Sequence, residues 1–441
     1  MKRTVIEWIV DKSNIDEAIK QVKQNKGAPG IDKMSVGQLD SYFSRHREEI
    51  IEGIRNGTYR PAPVRRTYIP KANGSLRPLG IPTVVDRVVQ QAIAQVLTKG
   101  YEPKFSESSF GYRPNSDCHL AMAQAIDMLN EGYIWIVDLD IEKFFDTVNH
   151  DKLISILREN IKEKAVLHLI RSFLKAGIME DGLFAESDLG MPQGGPLSPV
   201  LSNVYLDKLD KELEARGLVH CRYADDTVIL VKSEMAANRV MKSITKWIEK
   251  QLFLKVNATK TKVVRPTQCK FLGFTFWKHG AEWECRPLPD RKQKLKKKIH
   301  EVLCRKSATA LSLGVMFTKV NQIVRGWINY YSYGFMGTFM RADFGPWLRH
   351  RVRMIILLQW KKAGTIQKNL ARLNRSFSCG FSEEDIYKVA RSGRGPYARA
   401  NGDVINFILS PKVLEMPNAK MKRPGLINPL ACYTEMHNRF A

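Results

Sequence analysis

The sequence Arg222-Tyr-Ala-Asp-Asp-Thr-Val-Ile-Leu-Val231 places two adjacent carboxylates, Asp225 and Asp226, between two strand-like halves. Neighbouring side chains of a regular strand point to opposite faces, so both carboxylates can reach one site only if Ala224–Thr227 forms a tight turn. Even then Asp225 is the better direct ligand. Carboxylate oxygens are the ligands that Mg²⁺ prefers, so this stretch predicts a divalent-metal site.

A second acidic strand end lies upstream in Tyr133-Ile-Trp-Ile-Val-Asp-Leu-Asp140, and alternation places Asp138 and Asp140 on one face. Asp often occupies turns for local reasons, which would explain either segment alone. Together the two segments favour a metal, because carboxylates at apolar strand ends repel one another and a bound cation relieves that repulsion. Two Mg²⁺ ions about 4 Å apart on Asp140 and Asp225 would suit phosphoryl transfer.

The charge of the chain indicates a polyanionic substrate. Lys plus Arg number 70 and Asp plus Glu number 45, so the formal net charge is 70 − 45 = +25. Such an excess favours phosphate-bearing partners through counterion release, although an acidic membrane surface would attract it too. No apolar stretch approaches the roughly 20 residues of a membrane span, and the start lacks a leader pattern. We therefore expect a cytoplasmic protein with no membrane partner.

Other classes are excluded by the cysteines. The seven cysteines are scattered and include no Cys-x-x-Cys pair, so neither a disulfide framework nor a zinc ribbon is indicated.

Alternating helical and strand-like patterns predict an α+β layer structure. Arg65–Gly80 is typical of a basic hairpin with Asn73-Gly74 as its turn. Helical patterns cover Val84–Leu97, Cys118–Leu129, Asp151–Lys175, Leu201–Ala215 and Lys232–Gln251, and short strands are expected at Leu252–Val264 and Lys270–Trp277. A composition shift after Pro289 places a domain boundary near residue 286, with mostly helical chain beyond it.

These blocks, in this order, resemble the reverse transcriptases and maturases encoded by group II introns. Tyr223-Ala-Asp-Asp226 is similar to that family's metal-binding turn, and Val137-Asp-Leu-Asp-Ile-Glu-Lys-Phe-Phe-Asp146 resembles the strand that supplies the other catalytic aspartate. The resemblance selects Asp140, not Asp138, as the ligand. Phe145 then matches the bulky residue that closes on the sugar 2′ carbon and disfavours ribonucleotides, although an ordinary core aromatic would look the same.

Three further blocks resemble nucleotide-binding segments. Gly190-Met-Pro-Gln-Gly-Gly-Pro-Leu-Ser-Pro199 resembles the loop that supports the templating pair, with Gln193 facing the incoming nucleotide and Gly194 permitting close backbone approach. The hairpin cations Lys71 and Arg77 resemble the fingers motif that grips the triphosphate. Asn257–Lys262 matches the block that contributes a lysine near the leaving pyrophosphate, where Lys260 is favoured over Lys262.

Downstream, Lys270–Phe276 resembles the primer grip and Val320–Tyr331 resembles the maturase region that forms the thumb. The candidate nucleic-acid contacts there are cations and aromatics, although aromatics at helical spacing are also common in cores: Arg291, Lys294, Lys298, Arg325, Trp327 and Tyr330.

The resemblance implies a right-hand polymerase whose fingers and palm, a small antiparallel sheet packed on helices, occupy residues 1–285. Residues 1–58 would be an N-terminal extension and residues 286–375 a helical thumb or maturase domain. Residues 376–441 would be a DNA-binding segment or a structural cap, with no endonuclease domain.

The function so implied is an RNA-directed DNA polymerase that binds intron RNA, assists its splicing and copies it into DNA. Its partners would be intron and template RNA, a DNA primer, target DNA and dNTPs, with two Mg²⁺ ions that Mn²⁺ could replace. An RNA-folding chaperone with an inactive palm, or a domesticated relative acting in DNA repair or defence, are the alternatives. The sequence leaves the oligomeric state open, a dimer included.

Overall fold

The computed structural model describes residues 3–70, 74–180, 182–186, 188–418 and 423–440. The described chain combines many helices with small sheets, which confirms the predicted α+β class. It divides into two compact units, Met1–Leu272 and Gly273–Ala441. No helix in the described part of the chain has both the length and the apolar character needed to cross a membrane.

The first unit contains ten α-helices and eight strands within its described residues. In chain order they are α1 (Val5–Ile9), α2 (Lys12–Gln24), α3 (Leu39–Arg55), β1 (Val64–Pro70), β2 (Leu76–Ile81), α4 (Val84–Tyr101), α5 (Cys118–Asn130), β3 (Trp135–Leu139), α6 (Phe144–Thr147), α7 (His150–Asn160), α8 (Lys164–Leu174), β4 (Ile178–Glu180), β5 (Leu183–Ala185), α9 (Ser198–Ala215), β6 (Val219–Tyr223), β7 (Asp226–Val231), α10 (Glu234–Trp247) and β8 (Lys262–Val264).

A four-stranded antiparallel sheet of order β6-β7-β3-β8 brings the two acidic segments together. Its register pairs Leu139 with Thr227 and Tyr223 with Asp226, so the end of β3 lies beside the turn between β6 and β7. Apolar side chains such as Val137 and Ile229 are fully buried in the core under this sheet. The register of the sheet therefore places Asp140, which follows β3, near the turn that carries Asp225.

The basic hairpin forms the second sheet of this unit, of order β2-β1-β4-β5. Strands β1 and β2 are antiparallel, with Arg65 opposite Ile81 and Ile69 opposite Arg77, as the sequence predicted. The predicted turn residue Asn73 lies outside the described residues.

One predicted helix and one predicted strand differ from the structure. Asp151–Lys175 forms two helices, α7 and α8, that flank Ile161, and only Lys262–Val264 of the predicted strand Leu252–Val264 is a strand. Within that segment the Asn257 side chain accepts a hydrogen bond from Thr259 N at 3.2 Å, which closes a turn. Such a local side-chain acceptor competes with strand pairing.

The second unit starts with a hairpin and continues as helices: β9 (Phe274–His279), β10 (Glu282–Pro287), α11 (Pro289–Val302), α12 (Arg305–Ala310), α13 (Leu313–Tyr331), α14 (Gly345–Trp360), α15 (Ala363–Phe377), α16 (Glu383–Arg391), α17 (Pro396–Arg399), α18 (Asp403–Ile408), α19 (Pro411–Glu415) and α20 (Pro429–His437). Phe335 N donates to Cys285 O at 2.8 Å, which ties the hairpin to these helices. For this reason the compact division falls after Leu272, ahead of the boundary expected near residue 286. The assignment of fingers, palm, thumb and tail to these residues stays a prediction.

Candidate active site

The two adjacent aspartates occupy a tight hairpin turn. Strand β6 ends at Tyr223 and β7 begins at Asp226, so Ala224 and Asp225 form the loop between them. The four-residue turn is therefore Tyr223–Asp226, one residue earlier than the Ala224–Thr227 turn expected from sequence. Ala224 takes a left-handed conformation with φ of 59°, which L-residues adopt only where their surroundings hold them. The turn bends the chain enough for Asp225 and Asp226 to line the same cavity.

A buried arginine fixes this turn from beneath. Arg222 is fully buried, and its Nη1 donates to Ala224 O at 2.9 Å. The same guanidinium donates to both carboxylate oxygens of Asp210, at 2.7 Å from Nε and 2.5 Å from Nη2. Burial alone would raise the pKa of Asp210, but the charge and hydrogen bonds of Arg222 lower it. This bidentate pair gives the turn a rigid base.

The loop before α5 supports the turn from the other side. Gly111 lies so close to it that an added Cβ would be 2.2 Å from Ala224 N, so only glycine fits. Asn203 Nδ2 donates to Gly111 O at 2.8 Å, and Phe110 N donates to Arg222 O at 2.9 Å. The serine- and glycine-rich loop thus has a structural role that its composition did not indicate.

Asp140 is held by the turn at Asn257. Asn257 N donates to Asp140 O at 2.9 Å, and Asp140 N donates to Thr261 Oγ1 at 3.1 Å. Both backbone groups of the aspartate are therefore satisfied, and its position at the end of β3 is defined. Asp138 faces Lys262 across β3 and β8 and is not among the described residues that line the cavity.

One cavity of about 910 Å³ gathers the predicted metal- and nucleotide-binding residues. Its lining includes Asp140, Asp225, Asp226, Arg77, Phe145, Gln193, Gly194 and Lys260. Lys71, the remaining predicted nucleotide-binding residue, lies outside the described residues. The cavity is thus assembled from β2, β3, the turn after β6, the loop before α9 and the turn at Asn257.

The carboxylates of this cavity destabilise one another. Burial raises the pKa of Asp225, and the charge of Asp140 raises it further. Asp226 is accessible at the cavity surface, yet desolvation by surrounding protein atoms and the nearby charge of Asp225 raise its pKa to about 6. Strongly perturbed carboxyl groups that line a cavity mark it as a candidate site for catalysis.

Lys260 partly neutralises this acidic cluster. Its Nζ lies 3.1 Å from Oδ2 and 3.3 Å from Oδ1 of Asp140, while two-thirds of the Lys260 side chain remains exposed. Of the two lysines that the sequence offered, Lys260 is the one that lines the cavity.

The donor set fits Mg²⁺ in chemistry. Three carboxylates from two chain segments could supply oxygen ligands, and burial followed by neighbouring negative charge raises the pKa values of Asp225 and Asp226. Within the described residues, however, no three His, Cys, Asp or Glu side chains already converge to metal-binding distance. Asp140 is instead paired with Lys260.

The loop that carries Gln193 is anchored at both ends. Met191 N donates to Phe145 O at 2.6 Å, and Gly80 N donates to Gln193 O at 2.8 Å. Gly194 has φ of +124°, and a Cβ there would lie 2.7 Å from Gly80 O. Gly194 therefore permits the close approach of this loop to β2, and its role beside the templating pair stays a prediction.

Phe145 differs from its neighbour Phe144 in burial. Phe144 is fully buried against Tyr205, whereas Phe145 is half-buried, and both residues line the cavity. The role of Phe145 at the sugar stays a prediction.

The cavity is also lined by Tyr112 and Arg87, which were not among the predicted site residues. Tyr112 is half exposed in the cavity, and burial together with the charge of Asp225 raises the pKa of its hydroxyl. Arg87 is buried on α4, and its Nη2 donates to Ala28 O at 2.6 Å. This hydrogen bond holds the loop between α2 and α3, whose Gly27 lines the cavity. The aromatic character of the Ser106–Pro114 loop was the one available indication of Tyr112.

The predicted nucleic-acid contacts lie in the second unit and divide into exposed and packed side chains. Lys294, Lys298 and Arg325 are exposed, although Lys294 pairs with Asp290 at 3.2 Å. Arg291 is half-buried next to Gly273. The aromatic pair takes part in a ring cluster: Trp327 lies 4.6 Å from the Tyr331 centroid, and Tyr330 stacks on Phe274 at 6.0 Å.

Two family matches cover this arrangement. Residues 69–276 match the family described as reverse transcriptase (RNA-dependent DNA polymerase). Residues 292–373 match the family described as group II intron, maturase-specific domain. The first match contains Asp140, Asp225 and Asp226, and the second contains α13 and α14.

Individual relatives agree with these matches. Protein YkfC of Escherichia coli (strain K12) is 31% identical over 62% of this chain and 80% of its own length. The group II intron-encoded protein LtrA of Lactococcus lactis subsp. cremoris is 41% identical over 44% of this chain, which corresponds to only 32% of LtrA. A solved chain from a partial Cas6-RT-Cas1--Cas2 complex is 28% identical over 56% of this chain and 43% of its own, with a TM-score of 0.37. Because a reverse transcriptase segment is followed by a group II intron maturase segment, and because most of YkfC is covered, the chain belongs to the family of group II intron-encoded reverse transcriptases and maturases.

Proposed function

We propose that this chain is an RNA-directed DNA polymerase that extends a DNA primer on an RNA template. The observation that carries the proposal is the single cavity in which Asp140, Asp225 and Asp226 lie with Arg77, Lys260 and Gln193. The cavity brings three carboxylates together with two cations and an amide, and its volume of about 910 Å³ is enough for a nucleotide.

The three aspartates would hold two Mg²⁺ ions, with Mn²⁺ as a substitute. When bound, such a pair activates the attacking 3′-hydroxyl and stabilises the charge on the leaving pyrophosphate. The rigid turn over Arg222 and the tether of Asp140 to Asn257 keep the carboxylates in place before a substrate arrives. Fixed ligands of this kind lower the reorganisation that the reaction requires.

The remaining cavity residues would recognise the nucleotide. The positive charges of Arg77 and Lys260 oppose the rise in the pKa of Asp225, so both cations are near the carboxylates. We therefore propose that they bind the phosphates of the nucleotide. Gln193 would face the nascent pair, and Phe145 would close against the sugar and disfavour a 2′-hydroxyl. Lys71 would join Arg77 on the hairpin.

We further propose that the second unit binds intron RNA and assists its splicing. The exposed cations Lys294, Lys298 and Arg325 support this proposal, since Lys and Arg that neutralise phosphates drive RNA binding. The half-exposed Tyr330 offers a stacking surface beside them. Copying the bound intron into DNA would serve its mobility.

The decisive experiment is dNTP incorporation on an RNA template with an annealed DNA primer in Mg²⁺. We expect extension by the wild type, none after EDTA treatment, and none by Asp225→Ala. Asp127→Ala, which removes an exposed carboxylate on α5, is the matched control and should extend normally. Tight RNA binding without extension by the wild type would reject the polymerase proposal in favour of an RNA-folding chaperone.

The splicing proposal needs its own test. Binding of a group II intron RNA is compared with binding of an unrelated structured RNA of equal length at matched salt. Selective binding supports the maturase function, whereas equal affinities would leave only the polymerase proposal.

A further inference from the structure

A second cavity, of about 400 Å³, lies in the second unit among α12, α14 and α17. Its volume is at the lower end of the range of about 300–1,000 Å³ for small-ligand sites. Two arginines, Arg305 and Arg351, reach it together with His300. The lining residues that the structure describes include neither Asp nor Glu, so the cationic groups face the cavity without an acidic partner there.

Arg351 has unused hydrogen-bonding capacity at this cavity. Its Nη2 donates to Leu303 O at 3.0 Å and contacts His300 Nδ1 at 2.5 Å, while its Nε is buried with no hydrogen-bond partner. Burial lowers the pKa of this guanidinium, which reflects a cation taken partly out of water. An anion in the cavity would restore the missing interaction, since a buried charge is costly unless it is paired.

The opposite wall is aromatic and apolar. Tyr397 is 58% exposed, and its position is fixed because His350 Nε2 contacts Tyr397 O at 3.0 Å and the two rings meet edge to face at 4.4 Å. Met354 and Leu358 supply the apolar floor. A flat ring entering the cavity could therefore stack on Tyr397 and cover Met354.

We propose that this cavity captures one unpaired nucleotide of a bound nucleic-acid strand. Its phosphate pairs with Arg305 and Arg351, and its base stacks on Tyr397 over the apolar floor. Base stacking on an aromatic side chain joined to cationic phosphate contacts is a common way to hold unpaired nucleotides. The cavity volume of about 400 Å³ is large enough for a single nucleotide and too small for a duplex.

This inference gives a role to the segment beyond the maturase match. Residues 292–373 supply Arg305, Arg351 and the floor, whereas Tyr397 comes from the tail that neither family match includes. The tail thus completes the cavity. The inference rests on the proposed function in one respect, namely that the chain binds nucleic acid.

The test compares two labelled RNA hairpins that differ by one unpaired uridine, using the full-length chain at matched salt. We expect the bulged hairpin to bind about tenfold more tightly, and Tyr397→Ala to remove this preference while Tyr397→Phe retains it. Arg305→Gln should weaken binding of the bulged hairpin and reduce its salt dependence. The matched controls are exposed residues that do not line the cavity, Tyr387→Ala on α16 and Arg239→Gln on α10, which should leave the preference unchanged.

A crosslink on the wild-type chain removes dependence on variant folding. With 5-iodouridine at the unpaired position, irradiation should attach the RNA to the peptide that contains Tyr397. The same binding series is repeated with DNA hairpins. A preference for bulged RNA, bulged DNA or both then shows which kind of nucleic acid the cavity binds. Equal binding of bulged and paired hairpins of both kinds, or a crosslink to a peptide from another part of the chain, overturns the inference.

Primer extension separates this inference from the proposed function. Tyr397→Ala should extend a short primer on a short template at the wild-type rate. Extension by the wild type without a bulge preference would reject the cavity inference alone. A Tyr397-dependent bulge preference in a chain that extends no primer would reject the polymerase alone.

Discussion

Arg222 and Asp210 form a bidentate ion pair that is completely shielded from solvent, directly beneath the turn that carries Asp225 and Asp226. The pair links α9 to β6, and the remaining Nη1 of Arg222 donates to the carbonyl of Ala224. A stable base under the turn allows Ala224 to keep its left-handed conformation. The position of Asp225 and Asp226 therefore depends on two buried residues that do not line the cavity.

Replacing this arginine should affect stability and activity together. Arg222→Met removes the cation that pairs with buried Asp210 and leaves this carboxylate with His220, whose Nε2 lies 3.6 Å from Oδ1. We therefore expect a loss of about 3–5 kcal/mol in the free energy of unfolding of the first unit. The matched control is Arg216→Met, which breaks the exposed pair with Glu212 and should cost less than about 1 kcal/mol. Urea unfolding measures both. Adding Asp210→Asn to Arg222→Met should recover part of the loss, and the absence of any recovery would contradict the ion-pair explanation.

A buried histidine that contacts the loop carrying Gln193 makes the stability of the protein depend on pH. His150 Nε2 lies 2.7 Å from Gly190 O, and its Nδ1 is buried without a hydrogen-bond partner. Burial lowers the pKa of His150 below its usual 6.5, so the unfolded chain binds more protons than the folded chain at mildly acidic pH. Stability from this residue is present above about pH 6.5 and decreases as the pH falls towards the folded-state pKa, by at most about 1.4 kcal/mol per pH unit.

The measurement is the urea midpoint between pH 7.5 and 5. His150→Gln should show a smaller decrease than the wild type over this range, because it removes the proton uptake. His168→Gln replaces an exposed histidine on α8 and should follow the wild-type curve. A decrease of the same size in His150→Gln would assign the pH dependence to other groups.

Lys260 should matter to activity far more than to stability. Its pair with Asp140 is largely exposed, so Lys260→Met should change the free energy of unfolding by less than about 1 kcal/mol. If Lys260 acts on the leaving pyrophosphate, the same variant should lower kcat for dNTP incorporation by about 10²–10⁴. Lys255→Met breaks a similarly exposed pair with Glu142 nearby and is the matched control. Equal kcat values for the two variants would exclude this role.

The two acidic segments and the hairpin could be predicted from the sequence because both depend on strand-like runs and turn residues. Asp225 and Asp140 are 85 positions apart, and their meeting was expected from the repulsion of acidic strand ends and from the family resemblance that selects Asp140. The support beneath them could not be predicted in the same way. Asp210 lies on a helix with no local feature to mark it as the partner of Arg222, and that pairing depends on tertiary packing alone.

The segment after α10 was predicted to be a longer strand than the structure contains. Its β-branched and apolar residues resemble a strand from Leu252 onward, but the Asn257 side chain closes a turn and leaves only Lys262–Val264 in the sheet. The boundary between the units was placed late for a related reason. Composition changes at Pro289, whereas the hydrogen bond from Phe335 to Cys285 already ties the preceding hairpin to the helices.

The contact between Gly195 and Gln90 predicts a rescue experiment. A Cβ at Gly195 would lie 2.2 Å from Gln90 Oε1, and Gln90 is buried on α4, so Gly195→Ala must displace either that side chain or the loop that carries Gln193. Overpacking of this kind costs about 1–3 kcal/mol, and we expect the KM for dNTP to rise about tenfold. Gly100→Ala, which meets no atom within 4 Å on the same helix, should leave KM unchanged. Gln90→Ala combined with Gly195→Ala should restore most of the affinity, because the smaller side chain makes room for the methyl group. A double variant no better than Gly195→Ala would mean that the loop is displaced by something other than this contact.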